Sequence, residues 1–295
     1  NVYNGQTNQL VDNGSALTGH VSTTEPSLIA PKYGSNDQVY YILTNNTDVS
    51  SPSMISYSVI DLTIGANGTI TDKNVELLSG NAGEALDVLP HAIGKDFWVL
   101  AYDGADTIKA FLVDDVSGVE TTPVVSSTGL TGEVRRGAIN HTYDYQKLAL
   151  GQNYGGASGS IAVGQFDRAT GEVSAVVEIA TGDIGYHASF SEDGSKVYFV
   201  RGTEGWSGPA YQYDLDTNTE TALGGTGMAA AKLAPDGKLY WAGVGKSYLG
   251  VVNDPNAAGT AADFVEDGLY LEGCLSGWGV PNQTAAYEEY IPPID

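Results

Sequence analysis

One short pattern recurs along the sequence and limits the possible folds more than any other feature. A polar turn, often with Gly after Asp, runs directly into a strand of β-branched and aromatic residues, as expected for a hairpin that enters a buried strand. The clearest copies are residues 190–201 and 236–241, and looser copies are residues 36–41, 94–99 and 145–150. A spacing of about 40 to 60 residues, with several strands in each unit, is typical of β-propeller blades.

The sequence therefore predicts an all-β fold, a β-propeller with six or seven blades of four-stranded antiparallel sheets. Because an open ring would leave sheet edges unpaired, we expect the two ends of the chain to share a closing blade. No linker interrupts the pattern, which predicts a single domain over residues 1–295. The predicted blades are residues 27–82, 83–128, 129–181, 182–223 and 224–272, with closing segments 1–25 and 273–295.

The charge balance excludes some partners. The 295 residues contain 13 Lys and Arg against 36 Asp and Glu, a net charge of −23. Nucleic acids and anionic membrane surfaces need clustered cations, so neither is expected as a partner. We also expect no membrane insertion, because no long apolar run is present. The single cysteine, Cys274, cannot form an internal disulfide, and a buried structural thiol is the expected role.

Several segments resemble a known family. The stretches FSEDGSKVYFV, AYQYDLDT, KLAPDGKLYWA and SGWGVPNQ are similar to the lactonase-like propeller domain of large secreted Bacteroidota proteins, as are QVYYILTN and HAIGKDFWVLAYD earlier in the chain. The resemblance covers almost everything from residue 27 onward. It implies secretion by the type IX route, gliding-associated surface display and adhesion, as part of a larger polypeptide or assembly. The chain departs from the family at Gln283, where Phe is usual.

Polar residues on the innermost strands are the best candidates for a site. Four histidines lie far apart without ligand spacing, so no zinc motif is present. A histidine lining the channel, His187, beside Tyr186, Asp87 and Arg135, could form an acid–base site. A wet channel that satisfies buried backbone groups is the simpler interpretation, and we predict no catalytic residue.

Two further features concern ligands. Trp206 is flanked by glycines, and an exposed tryptophan of this kind is typical of sugar- or protein-binding surfaces, although packing between blades explains it equally well. The acidic turns could offer oxygens to calcium, but capping of backbone N–H groups is the favoured explanation. We therefore expect no cofactor, leave calcium open and assign no metal site. The acidic turn residues are Asp103, Asp106, Asp114, Asp115, Asp214 and Asp216.

The sequence alone thus favours a non-catalytic binding or adhesion module at the bacterial cell surface over an enzyme. Its binding residues would be Trp206, Tyr186, His187, Arg135 and Asp87, and its partner a glycan or a surface protein. Two alternatives stay open. One is a structural subunit of an extracellular assembly. The other is a lactonase-like, metal-dependent hydrolase that works in the central channel.

Overall fold

The structure, a computed structural model, describes residues 1–47, 53–104, 106–131, 136–155, 158–202 and 207–280. In these residues the regular structure consists of β-strands and one short 3-10 helix, Gly259–Ala262. None of their helices is long and apolar enough to cross a membrane. The chain divides into two compact units. Unit 1 is Asn1–Ser126 with Arg168–Glu172, and unit 2 is Ser127–Asp167 with Val173–Asn282.

Unit 1 holds two antiparallel sheets whose strands follow chain order. In the second sheet the short strand β8 and strand β9 both pair with β7. The first sheet consists of β1 (Ser27–Pro31), β2 (Val39–Asn45), β3 (Ser53–Asp61) and β4 (Thr69–Gly80). The second consists of β5 (Ala82–Pro90), β6 (Phe97–Asp103), β7 (Thr107–Asp114), β8 (Gly118–Val119) and β9 (Val124–Ser127).

Unit 2 holds the remaining strands, again antiparallel and in chain order. The third sheet consists of β10 (Arg136–His141), β11 (Lys147–Gly155), β12 (Ser158–Asp167) and β13 (Glu172–Gly182). The strands that follow are β14 (Ile184–Phe190), β15 (Lys196–Arg201), β16 (Gly208–Asp214), β17 (Thr219–Leu233), β18 (Leu239–Gly243), β19 (Tyr248–Val252) and β20 (Phe264–Tyr270).

Strand β17 belongs to two sheets in turn. Residues 219–224 pair with β16 and residues 231–233 pair with β18, and Met228 between them pairs with both strands. The change occurs at Gly224, Gly225 and Gly227, whose positive φ angles only glycine adopts readily. The seven strands β14–β20 are therefore two four-stranded sheets, the fourth and the fifth, and the second strands β15 and β18 are not paired with each other.

The predicted fold class is confirmed: the chain is an all-β β-propeller with several four-stranded antiparallel sheets. The blade boundaries drawn from the sequence stay predictions. The registers of the sheets confirm most of the repeat, because Leu148, Val197 and Leu239 each pair with the last residue of the first strand. In the first two sheets the equivalent residues are Tyr40 and Phe97, one position away from the predicted Val39 and Trp98.

The repeat is visible in the turn between the first and second strand of each sheet. In every case the fourth residue of the turn donates its backbone N–H to the carbonyl oxygen of the first. The pairs are Ser35–Lys32 (3.3 Å), Gly94–His91 (3.0 Å), Tyr145–Thr142 (2.8 Å), Gly194–Ser191 (3.0 Å) and Gly237–Ala234 (3.0 Å). The first residue of each turn thus gives a common origin for comparing the five sheets.

In four of the five sheets the fourth turn position has a left-handed backbone. Gly94, Gly194 and Gly237 have φ angles of +71°, +67° and +77° there. In the third sheet Tyr145 takes the same conformation with φ +58° and is buried. A side chain in this region is strained, and the burial of the tyrosine ring against His141 offsets that cost.

Apolar side chains fill the spaces between neighbouring sheets within each unit. In unit 1, Leu43 and Ile55 of the first sheet pack with Leu86 and Val99 of the second. In unit 2, one cluster joins the third and fourth sheets around Phe190, and another joins the fourth and fifth around Trp241. The burial of both sheet faces explains why the second strands β2, β6 and β18 are mainly apolar.

The two predicted closing segments contact different sheets. In unit 1 the N-terminal segment covers one face of the first sheet, where Val11 is buried against Ile42, Ile60 and Ile70. Residues 273–280 lie in unit 2, where Ala230 donates its N–H to the carbonyl oxygen of Trp278. A shared closing blade and a single domain stay predictions, since residues 281–295 lie outside the described part of the chain.

The prediction for the cysteine is wrong, and the prediction for the acidic turns is confirmed in part. Cys274 is exposed, so the predicted buried thiol is wrong, because the tail at this point runs over the surface instead of through the core. The capping role of the acidic turns is confirmed for two residues. Asp114 accepts hydrogen bonds from the N–H groups of Val116 and Ser117, and Asp214 accepts them from Asp216 and Thr217.

Candidate functional site

Three polar side chains meet in unit 2 at the first strands of three consecutive sheets. Asn140 lies on β10, His187 on β14, and Lys232 on the second half of β17. In their sheets β10 pairs with β11 and β14 pairs with β15, and Lys232 is paired with Tyr240 of β18. In a β-propeller the sheets surround a central channel, which makes the first strands the natural position for a site.

Asn140 connects the other two residues. Lys232 Nζ donates a hydrogen bond of 2.6 Å to Asn140 Oδ1. Asn140 Nδ2 donates a bond of 2.7 Å to the carbonyl oxygen of Ala188 and lies 3.4 Å from His187 Nε2. Side chains from three different sheets therefore form one continuous polar row.

Small residues allow the strands to approach closely enough for these contacts. A Cβ atom at Gly151 on β11 would lie 2.3 Å from the carbonyl oxygen of Tyr186 and 3.3 Å from the backbone N of His187. Only glycine fits at such a distance. Ala138 on β10 and Ala188 on β14 are also fully buried. The packing of small residues thus brings the backbone of His187 against the third sheet.

Burial controls the charge of the cluster. His187 is only 3% exposed, and Asn140 is buried as well. Burial, assisted by the nearby Lys232 ammonium, holds the pKa of His187 well below its ordinary value. His187 is therefore neutral at neutral pH. Its Nδ1 is buried and has no hydrogen-bond partner among the residues that the structure describes.

The cluster does not suit a metal ion. One of its three side chains is an ammonium group, which repels cations and has no lone pair to donate when protonated. Across the described ranges, no group of three or more His, Cys, Asp or Glu side chains is arranged to hold a metal. We therefore derive no step through a metal.

The predicted site residues divide into three groups. Tyr186 and His187 are adjacent on β14, where His187 belongs to the cluster and Tyr186 is half-buried. Asp87 lies on β5 in unit 1, where its Oδ1 accepts a hydrogen bond of 2.9 Å from the N–H of Val88. Arg135 and Trp206 fall outside the described residues.

The sequence analysis missed Asn140 and Lys232. Counted from the first turn residue, both stand two positions earlier, where the first two sheets have Ala30 and Leu89 and the fourth has Ser189. The available signal was that three consecutive sheets have a polar residue at a repeat position where the first two sheets have an apolar one. By the same count His187 is equivalent to Asp87, so two predicted site residues share one position of the repeat.

Comparisons with known proteins support the fold. No protein-family model and no curated protein sequence matches the chain. A crystal structure of a proposed 6-phosphogluconolactonase from Bacteroides uniformis is similar at 16% identity and a TM-score of 0.50, covering 78% of this chain and 68% of that one. A proposed 6-phosphogluconolactonase from Bacteroides fragilis has 14% identity and a TM-score of 0.46, covering 85% and 87%.

A third similar structure is regucalcin from Agrobacterium tumefaciens, described as a calcium-binding protein, with 17% identity and a TM-score of 0.43, covering 82% of this chain and 76% of that one. The description of the Bacteroides uniformis structure contradicts our expectation of a non-catalytic binding or adhesion module, and with it the expectation that the chain is not an enzyme. At 16% identity the likeness to that structure shows the fold alone, a β-propeller.

Proposed function

We propose that the chain is a lactonase-like hydrolase that opens the ring of a polar lactone at Asn140, His187 and Lys232. One observation carries the proposal. A hydrogen-bonded row places a cationic donor and a neutral imidazole on either side of one amide, on the first strands of three successive sheets. The Bacteroides uniformis structure, described as a proposed 6-phosphogluconolactonase, suggests the reaction class to test.

Lys232 would stabilise negative charge. When water attacks the carbonyl carbon of a lactone, the carbonyl oxygen becomes an oxyanion, which a fixed ammonium group stabilises strongly in a partly buried position. Lys232 is half-buried, and its bond to Asn140 limits the directions in which its other N–H groups point. The chain has only 13 Lys and Arg residues, so the position of one of them in this cluster supports a functional role.

His187 would act as the general base. A neutral imidazole can accept the proton of the attacking water, and the low pKa of His187 keeps it neutral. Its Nε2 accepts only a long contact of 3.4 Å from Asn140, so this lone pair is weakly engaged. The carbon–oxygen bond of the ring then breaks, and the ring oxygen takes the proton back to leave as a hydroxyl group. The product is a hydroxy acid.

The direct test measures lactone hydrolysis. Ring opening releases acid at neutral pH, so a pH-stat follows it for a panel of sugar-acid lactones, with and without a phosphate group, after subtraction of spontaneous hydrolysis. We expect Lys232→Met, which keeps the length of the side chain but removes its charge, to lower kcat/KM by about 100-fold or more. His187→Gln should lower kcat by a similar factor.

A second lysine–asparagine pair provides the control. Lys238 Nζ donates a hydrogen bond of 2.8 Å to Asn253 Oδ1 in the same unit, away from the first strands. Lys238→Met should leave kcat/KM within about twofold of the wild type. Wild-type protein that hydrolyses none of the panel above background, or equal losses in both lysine variants, would reject the proposal.

Secretion and display at the cell surface stay predictions from the sequence. The calcium left open there is not part of the proposed reaction, because the capping aspartates Asp114 and Asp214 already use their oxygens on backbone N–H groups. Fractionation of the producing cells, followed by detection of the protein in the medium or on the surface, would test the predicted location.

A further inference from the structure

The orientation of the Asn140 side chain is fixed from both ends. A lysine ammonium group only donates hydrogen bonds, so the Asn140 atom that lies 2.6 Å from Lys232 Nζ must be the amide oxygen. The carbonyl oxygen of Ala188 only accepts, so the atom 2.7 Å from it must be the amide nitrogen. Both partners therefore identify the same Asn140 atoms as the amide oxygen and the amide nitrogen, which excludes an amide group rotated by half a turn.

This orientation has a consequence for His187. The amide nitrogen of Asn140 has two hydrogens, and the one not used by Ala188 is available to His187 Nε2 at 3.4 Å. If Nε2 carried a proton, two donors would face each other. Nε2 must therefore present its lone pair, and a neutral imidazole then carries its proton on the other ring nitrogen, Nδ1.

We propose that Lys232 and Asn140 act as positioning residues that hold His187 in its Nδ1–H tautomer. The lone pair of Nε2 then points to the side of the ring where Asn140 and Lys232 lie, which is where a substrate bound by the ammonium group would be. The Nδ1–H group is left as a buried donor without a partner among the described residues. Protonation at Nε2 would also bring two donors together, which agrees with the lowered pKa of His187.

This inference deepens the proposed site but does not depend on its activity, because it concerns the free protein. Long-range proton–nitrogen correlation spectra distinguish the two tautomers, since a protonated ring nitrogen and one with a free lone pair have very different ¹⁵N shifts. The protein has four histidines, and the signals lost in His187→Gln identify those of His187. We expect a free lone pair at Nε2 and a proton at Nδ1 at neutral pH.

Two variants test the role of Asn140. In Asn140→Asp the carboxylate can only accept hydrogen bonds, so the proton should move to Nε2 or the ring should become doubly protonated. In Asn140→Leu, which removes the donor and keeps the bulk, both tautomers should be populated. Asn253→Asp, at the matched pair with Lys238, should leave the His187 signals unchanged.

Two results would overturn the inference: a proton at Nε2 in the wild type, or an unchanged tautomer in both Asn140 variants. The wild-type signals, assigned with His187→Gln, decide the first result, so an Asn140 variant that fails to fold does not remove the test. A protein with the expected tautomer but without lactone hydrolysis would reject the proposed function and leave this inference standing.

Discussion

Buried polar residues at the first strands serve different purposes in the two units. In unit 1, Glu84 on β5 accepts hydrogen bonds from the N–H and the hydroxyl of Thr24, at 2.9 and 2.7 Å. These bonds hold the chain just before β1. In unit 2, the side chains of Asn140, His187 and Lys232 bond mainly to one another across three sheets. The same part of the repeat therefore anchors backbone in one unit and builds a candidate site in the other.

The difference predicts that polar substitutions in unit 1 affect mainly stability, whereas those in unit 2 affect mainly chemistry. Packing around the site is the exception, because the close approach of its strands is part of the fold. The predictions below separate these contributions, from the largest expected effect to the smallest.

Gly151→Ala should have the largest effect on stability. The added methyl group would lie 2.3 Å from the carbonyl oxygen of Tyr186, and that neighbour is backbone, which cannot move without shifting β14. We expect a loss of about 3 kcal/mol or more in the free energy of unfolding, measured by urea denaturation. Gly279→Ala in the same unit, which meets nothing within 4 Å, is the control. A well-tolerated Gly151→Ala would show that β14 does not depend on this contact.

Glu84→Ala should cost about 3 kcal/mol of unfolding free energy, because two hydrogen bonds to a buried charged group are lost. Glu84→Gln keeps one acceptor oxygen and should lose less. The matched control is Glu76→Ala, since Glu76 is exposed on the neighbouring sheet and bonds only locally to Ser79. If Glu84→Ala and Glu76→Ala were equally stable, the anchoring role in unit 1 would be wrong.

The stability of the wild type should fall in mildly acidic solution because of His187. In the unfolded chain His187 takes up a proton near pH 6.5, whereas in the folded protein its pKa is lower. The unfolded state therefore binds more protons below pH 6.5, and the contribution present above that pH is lost as the pH falls towards the folded pKa.

The expected slope is about 1.4 kcal/mol for each pH unit in that window. It is measured as the difference in unfolding free energy between the wild type and His187→Gln, from pH 7.5 to pH 5, so that the contributions of other groups cancel. A difference that does not change with pH would mean that His187 is not held neutral by burial.

Lys232→Met should have the smallest effect on stability, within about 1 kcal/mol of the wild type in urea denaturation. The lost hydrogen bond to Asn140 is offset because a partly buried charge no longer has to be desolvated. The same variant is expected to lose most of the lactone hydrolysis. A loss of stability above about 3 kcal/mol would instead assign Lys232 an anchoring role like that of Glu84, and would erase the contrast between the units.

The sequence predicted the equivalent positions of the repeat correctly in three of the five sheets. Leu148, Val197 and Leu239 were placed at equivalent points of the repeat, and the registers confirm them, because the turn and the apolar strand after it are encoded locally. Val39 and Trp98 were displaced by one residue. The turn before Val39 is longer than the others, and Trp98 directly follows Phe97, so two aromatic residues compete for the same alignment.

The sequence predicted only some of the residues of the candidate site. His187 and Tyr186 were chosen because they lie on a predicted innermost strand, where the channel of a propeller collects polar groups, and the structure places both on β14. Asn140 and Lys232 were missed, because their contact joins residues 92 positions apart. No local pattern encodes such a distance. An alignment of the five repeats on their turns would have placed both, together with Ser189, at a position where the first two sheets have apolar residues.

The sequence by itself determined the strands, the turns between them and hence the repeated sheet, because hydrogen bonding in hairpins and the burial of alternate residues act over a few positions. Tertiary structure decided which of the buried polar groups meet. That depends on how closely one sheet packs on the next, which small residues such as Gly151 permit, and on where the long strand β17 passes from one sheet to the other.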